Sequence, residues 1–101
     1  MMKVTVRPFA PIYEALGKQQ EIEVELNSGA TISDLLSALR RSYNLPDEIR
    51  MGRNVLKLFD GKEPRGIAVF KNGINTKSLE GVETKLEDGV VIVLLIPGIA
   101  G

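Results

Sequence analysis

Apolar and polar residues alternate from the first residues of the chain. Met2, Val4 and Val6 are apolar, while Lys3, Thr5 and Arg7 are polar. This period of two predicts a half-buried strand that ends at Pro8. Residues 21–26 repeat the pattern, with Ile22, Val24 and Leu26 inward and Glu21, Glu23 and Glu25 outward, and the two strands are predicted to pair as a hairpin. Their connection, residues 9–20, holds Pro11, a helical turn over 13–16 and Gly17 as its stop. The period then changes: Ile32, Leu35, Leu36, Leu39 and Tyr43 form one helical stripe. Thr31 is the expected N-cap, and Asp34, three residues on, suits both a capping box and the positive end of the helix dipole. Arg40 and Arg41 suit the other end, and Asn44 with Pro46 stops the helix.

Residues 47–66 follow neither period. Arg50, Arg53, Lys57, Lys62 and Arg65 stand against Asp47, Glu48, Asp60 and Glu63, with Val55, Leu58 and Phe59 as apolar anchors. The segment reads as an elaboration of the domain, and its balanced charge argues against a basic binding patch. A short strand over 67–71 runs into Asn72-Gly73, a strong tight-turn signal, and 82–86 is a weak connecting segment. The order of elements predicts an α+β domain, a mixed sheet with one main helix across one face.

The last strand breaks the alternation. Residues 90–97 read VVIVLLIP, an unbroken apolar run that favours β structure. Val90, Ile92 and Leu94 point one way; Val91, Val93 and Leu95 point the other. With one helix on one face, the second set lies on the uncovered side unless 47–66 folds over it. Two readings stay open: a central strand apolar on both faces, or a docking patch. Three such side chains buried by a partner contribute roughly 5 kcal/mol before association costs. The sequence then closes on Pro97, Gly98, Ile99, Ala100 and Gly101. This tail is expected to be flexible, reaches at most about 17 Å and has little bulk beside its backbone. The arrangement suggests that the terminal carboxylate of Gly101 is itself the working group, threaded into a partner's narrow cleft.

Composition narrows the chemistry. The 101 residues, 44% hydrophobic and with formal net charge zero, suit a single domain over 1–101. The absence of Cys and His excludes a disulfide framework, a thiol nucleophile and an imidazole base, and leaves no metal site expected. Carboxylates and lysines remain, and an enzyme reading would need a pair such as Glu14 and Lys18. No basic excess or interleaved aromatic cluster points to nucleic acid, and no run is long enough for a membrane span. The cytoplasm is the default expectation.

The motifs resemble a known family. Phe9-Ala10 and Glu14-Ala15-Leu16-Gly17 resemble the Phe-Ala-x-x-Arg-Glu-x-x-Gly signature of MoaD, the small subunit of molybdopterin synthase, with Tyr13 at the arginine place. The opening at residues 29–36 (GATISDLL), the Asn72-Gly73 turn, and Leu86-Glu87-Asp88-Gly89 before the last strand are similar to the same family. The resemblance implies a ubiquitin-like β-grasp sulfur carrier of the class that includes MoaD, ThiS and the archaeal small modifier proteins. It also implies that an E1-like enzyme adenylates the Gly101 carboxylate with ATP, and that a thiocarboxylate then delivers sulfur. Val91, Val93 and Leu95 would dock the partners, and Pro97, Gly98, Ile99 and Ala100 would carry the terminus into them. The acceptor would be the molybdopterin synthase large subunit or another sulfur acceptor. The chain would act as a co-substrate or small subunit, with no bound cofactor of its own.

Family members finish Pro-Pro-x-x-Gly-Gly. Counting from Asp88-Gly89 puts Gly101 at the terminal glycine and Ala100 at the penultimate one; matching by letter leaves one glycine missing. Two rivals keep the fold and change the use: a modifier joined to target lysines, and an interaction module without terminal chemistry.

Overall fold

The computed structural model describes residues 1–98. Strand β1 (Met2–Pro8) and strand β2 (Ile22–Leu26) pair antiparallel, with Val4 opposite Val24 and Val6 opposite Ile22. The inward residues of both strands are buried, so the alternation maps directly onto the two faces of the sheet. Pro8 is the last residue of β1, where the strand was expected to end. The backbone N–H groups of Lys3, Thr5 and Phe9 point towards the segment 88–94. Those of even residues therefore point towards β2, whose last pairing is Val6 with Ile22. Pro8 thus lacks its N–H where no strand would receive it.

Between these strands lies α1 (Ile12–Ala15), a single turn followed by Gly17 at φ +86°. The main helix α2 (Ile32–Ser42) carries the expected capping box: Thr31 accepts from the Asp34 N–H, and the Asp34 carboxylate accepts from the Thr31 N–H at 2.9 Å. Ile32, Leu35, Leu36 and Leu39 are buried, and Tyr43 packs against them as the C-cap.

Residues 47–66 form two hairpins. Strand β3 (Glu48–Met51) pairs with β4 (Asn54–Lys57), and β5 (Phe59–Asp60) pairs with β6 (Glu63–Pro64). Leu58 and Phe59 join the main core, and the Arg40 guanidinium lies 4.4 Å from the centre of the Phe59 ring. Arg40 also pairs with Asp47. Val55, expected to be an anchor, is 50% exposed instead. Its cross-strand partner is Arg50, whereas the neighbouring pair, Ile49 and Leu56, takes the face that meets the core. Gly66 closes the segment under tight constraint, since a Cβ there would come within 2.2 Å of the Lys57 carbonyl oxygen.

Strand β7 (Ala68–Lys71) turns through Asn72 and Gly73, at φ +47° and +85°, into β8 (Ile74–Asn75). Both signs fit the tight turn that Asn-Gly favours. Two short 3-10 turns, Thr76–Ser78 and Gly81–Glu83, lead to the last strand, β9 (Val91–Leu95). It runs parallel to β1 and antiparallel to β7, giving the sheet order β2-β1-β9-β7-β8. With α2 across one face, the domain is an α+β ubiquitin-like β-grasp.

Candidate functional site

The centre of the sheet is where the expected docking residues fall. On β9 and its flanks, Val90, Ile92, Leu94 and Ile96 expose at most 3% of their surface, against the helix. Val91, Val93 and Leu95 point to the other face and remain partly exposed. Leu58 and Phe59, the anchors of 47–66, go to the buried cluster that holds the inner set, so that segment does not bury the outer set as the helix buries the inner one.

Cross-strand register shows what surrounds the outer set. Thr5 and Arg7 on β1 lie opposite Val91 and Val93. Phe70 and Ala68 on β7 lie opposite Val93 and Leu95. Paired residues share a face, so Val91, Val93, Leu95 and Phe70 form one partly open apolar strip, with Ala68 buried at its end. Its polar margin is the ion pair of Arg7 Nε with Glu21 Oε2 at 2.7 Å, both side chains half-exposed. Exposed pairs of this kind contribute about 0–1 kcal/mol. Arg7, Phe9, Tyr13 and Glu21 line a shallow depression beside the strip, and Phe9 is 47% exposed.

The tail leaves from the end of the same strand. Ile96 is buried and fixes its root, while Pro97 and Gly98 form an exposed turn with Gly98 at φ +84°. That φ favours glycine over any residue with a Cβ. Of the expected tail residues, Pro97 and Gly98 are placed; Ile99, Ala100 and Gly101 lie outside the described residues.

Glu14 and Lys18 are both exposed around the α1 turn, far from the burial that sharpens an acid–base pair. Among the described residues, no group of three acidic side chains could hold a metal ion, and no helix is long and apolar enough to cross a membrane.

Sequence reasoning found β9 and its two-faced character but missed Phe70, Ala68, Arg7 and Phe9 as members of the same surface. The alternation of β1 already put Arg7 on the outer face. What was absent was the pairing of β1 with β9, because parallel neighbours far apart in the chain leave no local mark.

Known proteins resemble this chain in sequence and in fold. The sequence profile of the ThiS family matches residues 6–101. A small archaeal modifier protein 3 from Haloferax volcanii is 31% identical over 100 residues, covering 99% of each chain. A Haloferax volcanii protein solved in solution superposes with a TM-score of 0.74 at 30% identity, covering 99% of this chain and 87% of that one. A putative molybdopterin converting factor subunit 1 from Pyrococcus furiosus superposes with a TM-score of 0.71 at 23% identity, covering 96% and 99%, a likeness of fold.

Proposed function

The chain belongs to the ThiS family, whose members are small carrier and modifier proteins and not catalysts, and from that premise we propose that it is a sulfur carrier whose reagent is the carboxylate of Gly101. The observation that carries this reading is the family match itself, which runs through to residue 101. The geometry is consistent with it: a buried root at Ile96, an exposed Pro97-Gly98 turn and an apolar strip on the same strand.

In this mechanism the outer face docks an E1-like enzyme through Val91, Val93 and Leu95. Pro97, Gly98, Ile99 and Ala100 then lead the terminus to bound ATP. A Gly101 carboxylate oxygen attacks the α-phosphorus; pyrophosphate leaves, and an acyl adenylate forms. A sulfur nucleophile supplied by the partner displaces AMP, leaving a thiocarboxylate that a second partner consumes. The chain provides an electrophilic carbonyl and a rigid handle, and with no Cys or His it adds no competing nucleophile of those types near the activated acyl group. As acceptor we put the molybdopterin synthase large subunit first, on the resemblance of residues 9–17 to the MoaD signature.

A second reading is favoured by a specific observation, the 31% identity with a small archaeal modifier protein 3 along 99% of both chains. There the same adenylate is captured by a lysine amine of a target protein, forming an amide and releasing AMP. Both readings share the activation step, which ATP–pyrophosphate exchange with a purified E1-like partner measures. Exchange that disappears when Gly101 is deleted supports them; exchange that survives the deletion overturns both. Intact mass of the native protein then separates the two. A gain of about 16 Da, one oxygen replaced by sulfur, marks the carrier, and attachment to other proteins marks the modifier. A chain showing neither exchange nor mass change would be an interaction module.

A further inference from the structure

The charges of 47–66, balanced when counted along the sequence, are not balanced in space. Asp47 is taken by Arg40, and Asp60 is held by Arg65 at 2.7 Å. Both aspartates of the segment are thus consumed by internal pairs. On hairpin β3–β4, Arg50 lies opposite exposed Val55 and Lys57 lies opposite Glu48. Arg53 sits beside Gly52, at φ +62°, in the turn between the strands. Arg50, Arg53 and Lys57 are all exposed, and none of the three has an ion-pair partner among the described residues. Glu48 is the one acid on this face, so the outer surface of the hairpin is a basic patch with an apolar contact, Val55, within it.

The patch is tied to the end of the sheet from which the tail departs. The Leu58 carbonyl accepts from the N–H groups of both Arg65 and Gly66, and the Gly66 backbone touches the Lys57 carbonyl. Two residues later, Ala68 lies opposite Leu95. Two residues of extended chain and one strand spacing put the base of the hairpin within about 15 Å of Leu95. A body that receives the tail at this end therefore works within reach of the base of the hairpin.

We propose that the β3–β4 hairpin is a second contact for the activating enzyme, and that Arg50, Arg53 and Lys57 dock on an acidic surface of that enzyme beside the entrance for the tail. This rests on the activated-terminus reading and adds a partner surface to it. Complementary charge at a rim acts mainly on encounter and orientation. A protein partner fits better than RNA: the patch holds three cations and an exposed valine but no aromatic side chain for bases to stack on.

The test is ATP–pyrophosphate exchange by the purified E1-like enzyme with the full chain, comparing the unaltered protein with R50E/R53E/K57E and R50Q/R53Q/K57Q. The reversed triple should raise KM for the chain at least about tenfold with kcat little changed, and the neutral triple should fall between. KM of the unaltered chain should rise with salt, and that of the neutral triple should not. Lys85→Glu, an exposed lysine outside the hairpin, should leave KM where it was. Thermal unfolding checks that each variant folds, and the neutral triple carries the test if the reversed one does not. An unchanged KM in both triples overturns the inference alone, as does cation-dependent binding of a single-stranded RNA oligonucleotide with no effect on exchange. No exchange with the unaltered chain overturns the activated-terminus reading together with this one.

Discussion

The two faces of β9 are built from nearly the same side chains and meet different surroundings. Val90, Ile92, Leu94 and Ile96 vanish beneath α2, while Val91, Val93 and Leu95 remain partly open between Thr5 and Arg7 on one side and Phe70 and Ala68 on the other. Hydrophobicity alone does not separate them. What separates them is that, among the described residues, a helix covers one face and not the other. The inner set contributes its burial to folding; the outer set leaves part of its apolar surface open, the part that the proposed docking would cover. Position within the sheet, and not residue type, therefore decides which of these apolar side chains the fold itself covers.

The sharpest way to break the comparison is to cut one methyl-bearing side chain from the inner face. Leu94→Ala should lower unfolding free energy by about 2–5 kcal/mol, because a fully buried leucine leaves a cavity; chemical denaturation measures it. If the loss is below 1 kcal/mol on the order-of-magnitude scale for surface sites, the inner face is not the core. Next in size is Gly66→Ala, expected to cost on the order of 1–4 kcal/mol since the new Cβ must displace the Lys57 carbonyl. Thermal unfolding reads that loss, and an unshifted midpoint would show that the hairpins hold their place without this contact.

The matching change on the outer face is Val93→Thr, which keeps the β-branched shape and the strand preference. It should cost less than about 1 kcal/mol of stability yet weaken association with the activating partner several-fold, as titration calorimetry would report. A large stability loss with unaltered association would invert the assignment of the two faces. Smallest is Arg7→Gln at the edge of the strip. An exposed pair with Glu21 predicts a change of about 0–1 kcal/mol that shrinks further in high salt, and equilibrium unfolding at two ionic strengths checks it.

Much of the fold was legible because local rules and the global structure agree. The alternation in β1 and β2, the Thr31–Asp34 box and the Asn72-Gly73 turn each report a neighbour a few residues away. The extent of the strip and its polar margin were not legible, since the pairing of Arg7 and Phe70 with Val93 depends on strand order. Charge misled for a related reason. A count of signs over 47–66 cannot show that Asp47 belongs to Arg40, a helix residue outside the segment, so the basic hairpin emerges only when the pairs are placed.

The position of β9 also has a mechanical side. A strand flanked by β1 and β7 and dragged from its Pro97 end is loaded along its own axis, so the bonds to both neighbours resist together in shear instead of parting one at a time. An enzyme that draws the tail inwards can then pull on it without peeling the domain open. Single-molecule stretching from the C-terminal side should accordingly need more force than prising β2 off its edge.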